Sequence, residues 1–218
     1  MEQDKWKAVD LYLTEKIVRP DNAVSAAYRS SLAAGMPDIA VSAAEGKLLY
    51  LMARMMGARR ILEIGTLGGY STIWLARALP PDGSLISLEY DPKHAGMART
   101  NLANAGLAER VEVLTGNALE LLPALKGPFD FFFIDANKDG YPEYFRWALR
   151  LSRPGSVMVF DNVVRGGRVL DAASSDSLIQ GVRRLNDAIA AEPRVHATTI
   201  QTVGIKGYDG FCAALVTE

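Results

Sequence analysis

The chain has 218 residues, 49% of them hydrophobic, and its 24 Lys plus Arg nearly balance 25 Asp plus Glu, which gives a formal net charge of -1. A chain of this charge has no field that would gather polyanions, so we expect no nucleic acid as a partner. Its one cysteine, Cys212, is more typical of a reducing compartment than of a disulfide-bonded secreted protein. The first residues lack the pattern of a signal peptide, and no apolar run reaches the roughly 18 residues of a membrane span. We therefore expect one cytoplasmic domain with no membrane contact.

The N-terminal part is predicted to be helical. Residues 5–34 form two predicted helices separated at Pro20, because proline interrupts the helical pattern. Ser42 followed by Glu45 has the capping-box pattern, and apolar residues at helical spacing continue from there to Gly57. These helices are expected to be additions to one domain rather than a domain of their own.

After Gly57, short apolar strands alternate with helical stretches, a pattern typical of parallel strands joined by crossover helices. The predicted strands are 60–64, 84–89, 110–114, 129–134 and 156–160, and the predicted helices are 70–79, 91–107, 117–125, 141–152 and 174–191. Residues 195–202 and 211–217 form a closing strand pair around a predicted turn at 204–210. Because no helix separates this pair, the last strand should run antiparallel.

A glycine-rich loop follows the first predicted strand. Gly65, Gly68 and Gly69 precede a helix, where glycine lets the backbone approach a ligand and the helix N-terminus offers unpaired N–H groups. Glu89 ends the second strand 89 − 69 = 20 residues later, where a doubly wound sheet offers a carboxylate to a ribose. The alternative, a loop that only makes a tight turn, is disfavoured by Glu89. The pattern indicates a nucleoside-bearing cofactor.

Two residues decide which cofactor is favoured. Leu67 occupies the second glycine position of the dinucleotide fingerprint, and Glu63 lies in the end of the first strand. A carboxylate there would repel a pyrophosphate but could accept a hydrogen bond from an ammonium group, such as that of S-adenosylmethionine. A methyl donor is therefore favoured, and a nicotinamide-dependent oxidoreductase is the alternative.

Three runs of residues carry a family resemblance. They are EIGTLGGYS at 63–71, DANKDGY at 135–141 and DNV at 161–163. With the chain from about residue 36 to the end, they resemble the cation-dependent class I O-methyltransferases of the caffeoyl-CoA and catechol type. Nucleic-acid methyltransferases commonly have an Asn/Asp-Pro-Pro-aromatic run after the fourth strand, and this chain has Asp135-Ala136-Asn137-Lys138 instead. A non-catalytic cofactor-binding or dimerisation module is a further alternative.

The resemblance implies a set of residues around S-adenosylmethionine. Those at its methionine part would be Glu63, Gly65, Thr66, Gly69 and Asp135. Ser71 would bind the methionine carboxylate, and Glu89 would bind the ribose. Ala118 would lie against the adenine, and Val41 would close over the cofactor.

Polar side chains also follow the fourth and fifth predicted strands. Asp135 comes directly after one, and Asp161 and Asn162 come directly after the other. Taken singly, each is more typical of a turn that ends a strand, but both positions lie at the ligand-binding edge of such a sheet. Their oxygens suit Mg best, with Mn or Ca as further possibilities, whereas Zn would prefer His or Cys. His94 and His196 are expected outside any such cluster. The sequence predicts a divalent-cation site.

Lys138 follows Asp135 by three residues, so a short loop could bring its amine to a substrate oxygen. A lysine alone would be interpreted as solvated, but the resemblance assigns it the role of general base. Methyl transfer to oxygen needs a deprotonated hydroxyl, which a cation and a base together provide. We expect an O-methyltransferase for a small vicinal-dihydroxy aromatic acceptor. Arg165 and Arg168, in the loop after Asn162, are assigned no role.

For the whole chain, the resemblance implies a Rossmann-like α/β fold and a homodimer. The sheet would be seven-stranded and mostly parallel, with an antiparallel last strand and helices on both faces, in agreement with the element order. We expect residues 1–218 to form a single methyltransferase domain. Residues 1–57 would be a helical lid and dimerisation segment, and residues 58–218 the core that binds cofactor and metal.

Overall fold

The computed structural model describes residues 2–218. Its α-helices are α1 Glu2–Leu13, α2 Asn22–Ala33, α3 Ala43–Met55, α4 Tyr70–Ala78, α5 Pro92–Asn104, α6 Ala118–Leu121, α7 Tyr141–Arg150 and α8 Ser177–Ala190. Its strands are β1 Arg60–Ile64, β2 Ser84–Glu89, β3 Val111–Thr115, β4 Phe131–Ile134, β5 Val157–Asp161, β6 Val195–Gly204 and β7 Gly207–Val216. In this part of the chain, no helix combines the length and the apolar character needed to cross a bilayer.

Local signals set the helix starts in the N-terminal part. α1 continues into a π-helical turn at Thr14–Val18, which ends at Arg19 in the left-handed region (φ 46°), directly before Pro20. The side chain of Asp21 then accepts a hydrogen bond from the Val24 N–H and caps α2. The predicted break is confirmed at Pro20.

The seven strands form one sheet in the order β3-β2-β1-β4-β5-β7-β6. β1 to β5 pair in parallel, and β7 runs antiparallel to both β5 and β6. The predicted sheet, including its reversed last strand, is confirmed. The predicted turn at 204–210 is wrong, because β6 and β7 continue until Gly204 pairs with Gly207. Most of β6 is exposed, so the far part of this hairpin has no buried face that would give an apolar pattern.

Helices cover both faces of the sheet, as expected. In β4, Phe131 and Phe133 pack into one core with residues of α2 to α5, whereas Phe132 and Ile134 pack into a second core with residues of α7 and α8. All four are buried because alternate residues of a strand point to opposite faces and both faces are covered. β4 is thus held firmly, and its carboxyl end has a fixed place in the molecule.

Gly181 in α8 provides a test of this packing. A Cβ at Gly181 would collide with the carbonyl oxygen of Lys138 and lie 2.6 Å from the Asp139 Cα. Gly181→Ala should therefore lower the free energy of unfolding by about 1–3 kcal/mol, measured by chemical denaturation. Gly96→Ala is the matched control, because Gly96 lies in a helix and a Cβ there meets no atom within 4 Å. That variant should gain up to about 1 kcal/mol; equal effects would contradict the packing argument.

Candidate functional site

A cavity of about 750 Å³ lies at the carboxyl ends of β1, β2, β4 and β5. Nine of the residues selected from the sequence line it: Val41, Gly65, Thr66, Ser71, Glu89, Ala118, Asp135, Lys138 and Asn162. Three selected residues, Glu63, Gly69 and Asp161, are not part of the lining. The cavity therefore brings the glycine loop and most of the polar residues after β4 and β5 together.

Gly65 and Gly69 have different tasks. Gly65 has a φ of 97°, and a Cβ there would collide with the carbonyl oxygen of Asp135 and lie 2.8 Å from its carbonyl carbon. Gly69, with a φ of 82°, precedes α4, and a Cβ there would lie 3.3 Å from the Cα of Ala98 in α5. Gly65 thus lets the loop after β1 touch the loop after β4, and Gly69 serves the packing of α4 on α5.

The Glu89 carboxylate holds the glycine loop in place. Its Oε2 accepts hydrogen bonds from the N–H groups of Thr66 (3.0 Å) and Leu67 (2.7 Å). Its Oε1 accepts one from the N–H of Asp91 (2.9 Å) and lies 3.7 Å from Nδ1 of His94. A carboxylate can accept about four hydrogen bonds, so Glu89 keeps a lone pair for a ligand hydroxyl.

Glu63 is fully buried beneath the cavity. Its Oε1 accepts a hydrogen bond from Oγ of Ser71 (2.6 Å), and its Oε2 accepts from the hydroxyls of Thr72 (2.5 Å) and Ser87 (2.6 Å). Burial raises the pKa of Glu63 to about 7, although the three hydroxyl donors oppose the rise. Ser71 lies between this carboxyl and the cavity, so Glu63 faces the cavity through the Ser71 hydroxyl.

Acidic groups collect around Asp135, at the carboxyl ends of β4 and β5. Asp161 is 4% exposed and hydrogen-bonds to Glu45 of α3. Burial raises the pKa of both carboxyls, and the charges of Asp135 and Glu45 raise the pKa of Asp161 further. Two carboxyls in contact can hydrogen-bond to each other only when a proton lies between them.

The donor set fits a hard cation. Within residues 2–218, no group of three or more His, Cys, Asp and Glu side chains could hold a metal ion, so the amide oxygen of Asn162 is needed beside Asp135 and Asp161. Asn162 has a φ of 53°, a conformation that asparagine tolerates better than most residues, and it lines the cavity. The carboxylates near this end outnumber the cations Lys138 and Arg165; they belong to Glu45, Asp135, Asp161 and Asp209. Oxygen donors with excess negative charge suit Mg, Mn or Ca.

Lys138 lies beside these acids. Its Nζ donates a hydrogen bond to Oδ1 of Asp135 (2.6 Å) and lies 4.9 Å from the centre of the Tyr141 ring. Only 5% of the residue is exposed, yet it lines the cavity. The solvated lysine that the residue type alone would indicate is therefore wrong, and the amine can reach a ligand.

The sequence did not identify several residues of the site. The sequence indicates only a helix-capping role for Glu45; its N–H donates a hydrogen bond to Oγ of Ser42 (3.1 Å), and its side chain also reaches Asp161. His94 was expected outside any cluster but lines the cavity next to Glu89. Tyr144, which donates a hydrogen bond to Asn137 (2.6 Å), also lines it. No local pattern marks these residues, because three helices distant from one another in sequence, α3, α5 and α7, bring them to the site.

Residues 21–211 match the model of a family described as O-methyltransferase. The chain is 51% identical over 220 residues to the catechol O-methyltransferase of Niastella koreensis, covering 99% of this chain and 100% of that protein. It is 54% identical over 209 residues to the catechol O-methyltransferase of Mycobacterium tuberculosis, covering 95% and 94%. The crystal structure of the O-methyltransferase TomG from Streptomyces achromogenes, involved in tomaymycin synthesis and in complex with SAM, has a TM-score of 0.97 and 55% identity over 100% of both chains.

The buried Glu63 should make stability depend on pH. Its pKa rises from 4.5 to about 7 on folding, so the folded state holds the proton more tightly and loses stability as pH rises through this window. Glu63→Gln cannot ionise. The free energy of unfolding of wild type minus that of the variant should fall by about 3 kcal/mol from pH 4.5 to pH 7.5 in denaturant titrations. The contributions of the other buried carboxyls are common to both proteins and cancel in this difference. If the stabilities of wild type and Glu63→Gln changed in parallel with pH, the raised pKa of Glu63 would be contradicted.

Proposed function

Because the chain belongs to the O-methyltransferase family, we propose that it transfers the methyl group of S-adenosylmethionine to a hydroxyl of a small vicinal-dihydroxy aromatic acceptor, with a divalent cation in the site. One observation carries this proposal. A single cavity is lined both by the glycine loop that Glu89 holds in place and by Asp135, Lys138 and Asn162 after β4 and β5. The alternative of a nicotinamide-dependent oxidoreductase has no support, because the matching family and the relatives named above are methyltransferases.

The donor end of the cavity suits the nucleoside and the amino acid of S-adenosylmethionine. The free acceptor capacity of Glu89 lies where a ribose diol would donate, and Ala118 gives a small apolar contact for an adenine. Val41, just before α3, would close over the cofactor. Support for this donor also comes from TomG, whose structure contains SAM.

Ser71 would contact the methionine part. Its hydroxyl hydrogen points to Glu63, so its oxygen faces the cavity as a hydrogen-bond acceptor. An acceptor suits the ammonium group of the donor better than the carboxylate that the family resemblance assigns to Ser71. Glu63 would then act on the ammonium through the Ser71 hydroxyl.

Asp135, Asp161 and Asn162 would hold the cation at the acceptor end. Bound there, a divalent cation would lower the pKa of an acceptor hydroxyl. The Lys138 ammonium, repelled by the same cation, would lose its proton to solvent, and the neutral Nζ, held beside Asp135, would then take up the hydroxyl proton. Leu178, Ile39 and Tyr144 add apolar surface for an aromatic ring, and the chain would thereby orient the hydroxyl toward the methyl group.

The other expectations stay predictions: a cytoplasmic protein, a single domain with an N-terminal lid, and a homodimer. Exposed apolar side chains support the homodimer, because such patches are typical of protein interfaces. They lie on α1 and the turn after it, at Val9, Leu11, Tyr12, Leu13 and Ile17.

Lys138→Ala should separate chemistry from binding. With labelled S-adenosylmethionine, catechol and Mg, turnover should fall about 10²- to 10⁴-fold, since the general base acts in the chemical step. The dissociation constant of S-adenosylmethionine, measured by calorimetry, should change less than about threefold because the amine lies at the acceptor end. Lys126→Ala, which alters an exposed lysine outside the cavity, is the control. Unchanged turnover in Lys138→Ala would refute the base.

The cation is tested by its removal. Wild-type protein treated with EDTA should lose methyl transfer, and added Mg should restore it. Asp161→Ala should raise the Mg concentration needed for half-maximal rate at least about tenfold and leave donor binding measurable by calorimetry. Full activity in EDTA would refute the requirement for a cation but would not contradict the methyl-transfer reaction.

A further inference from the structure

Arg165 has a buried polar atom without a partner. The residue lines the cavity three positions beyond Asn162, and its Nε is buried with no hydrogen-bond partner among the described residues. A buried donor that loses water without gaining a partner is costly, the more so when it is charged. Such a group in a folded protein requires an explanation, and a bound ligand is one.

The backbone fixes this arginine in place. Arg165 has a φ of 56°, in the left-handed region that is unfavourable for a long side chain. Oδ1 of Asp209 accepts hydrogen bonds from the N–H groups of Val164 (3.0 Å) and Arg165 (2.8 Å), and the Val163 N–H donates to the Gly210 carbonyl (3.0 Å). These bonds tie the loop to β7 and hold a strained conformation, as is typical of functional positions.

A second arginine in the same loop provides the contrast. Arg168 is exposed, forms an ion pair with Asp176 (2.6 Å) and does not line the cavity. Arg165 takes part in none of the ion pairs found within residues 2–218, even though acids lie at its end of the cavity. Its guanidinium is therefore available for an anion that enters the cavity.

We propose that Arg165 binds a carboxylate on the methyl acceptor, so that the preferred acceptors are vicinal-dihydroxy aromatic acids rather than neutral catechols. The proposal rests on the proposed function. A guanidinium can bind a carboxylate through two parallel hydrogen bonds, which lysine cannot reproduce. The carboxylate of the methionine part is the other source of the same chemistry, but Arg165 lies in the loop after β5, three residues beyond Asn162, whereas the glycine loop and Ser71 follow β1.

A matched pair of acceptors tests the carboxylate: 3,4-dihydroxybenzoate and its neutral counterpart 3,4-dihydroxybenzamide. For wild type, kcat/KM should be at least about tenfold higher for the acid. Arg165→Gln should lower kcat/KM for the acid about ten- to hundredfold and for the amide less than about threefold. Arg165→Lys should recover part of the loss because it restores only the charge. Arg168→Gln, the control, should match wild type on both compounds.

The remaining outcomes each overturn the proposal. Equal losses on both compounds in Arg165→Gln would mean that the arginine supports the loop or the nearby acids. A wild-type preference for the amide would mean that the Arg165 guanidinium does not bind the acceptor carboxylate. Weaker binding of S-adenosylmethionine to Arg165→Gln by calorimetry, with the acid preference retained, would assign the arginine to the donor. Thermal melts of each variant distinguish these results from unfolding.

Binding measurements keep the proposal separate from the proposed function. If neither compound is methylated, the proposed function fails, and calorimetry with 3,4-dihydroxybenzoate in the presence of S-adenosylhomocysteine still tests Arg165. About tenfold weaker binding of the acid to Arg165→Gln than to wild type would support the carboxylate site without turnover. Equal binding of the acid to wild type and to Arg165→Gln, or no binding to either protein, would overturn the carboxylate site.

Discussion

The hydroxyl of Tyr141 lies between the carbonyl oxygens of Ile134 (3.0 Å) and Asp161 (2.7 Å), the last residues of β4 and β5. Tyr141 is fully buried at the start of α7, so its single hydroxyl hydrogen is shared by two strand ends that have no water to replace it. β4 and β5 are paired in the sheet up to Ile134 and Phe160, and this contact ties their carboxyl ends together at the point where the acids begin. The ring also lies beneath the Lys138 amine. One buried side chain thus contacts both strand ends and the lysine that the acceptor part of the cavity needs.

The same end concentrates charge that the fold alone does not balance. Asp161 and Glu45 come from different elements, a central strand and an N-terminal helix, and burial raises the pKa of each. Such an arrangement costs stability in the free protein, and a fold selected for stability alone would place apolar residues there. The proposed cation, together with the guanidinium of Arg165, would balance this charge. The N-terminal helices therefore do more than cover the sheet, because α3 contributes a carboxylate to the site.

The sequence predicts the sheet well because its signals are local. Each strand of the parallel part is a short apolar run, and the polar residue that follows, such as Asp135, marks its carboxyl end. The β6–β7 hairpin is predicted poorly because an exposed edge strand has no apolar face to detect. Glu45 and His94 were missed for a related reason. Their role depends on which distant side chains face them, and a capping pattern or a charged helix face describes only their neighbours in the chain.

The direct role predicted for Glu63 shows a further limit. Its position in the sequence indicates an acid beside the glycine loop, but only the fold shows three hydroxyls donating hydrogen bonds to it and Ser71 lying between it and the cavity. The glycine loop that leads into α4 and Ser71 is in turn pressed against the loop of Asp135, because Gly65 has no Cβ to separate them. The donor end and the acceptor end thus meet through backbone atoms rather than through flexible side chains. Methyl transfer requires the sulfonium and the acceptor oxygen to be positioned to within about 0.5–1 Å of the productive geometry. A backbone contact is the stiffest means that the chain has to set their separation.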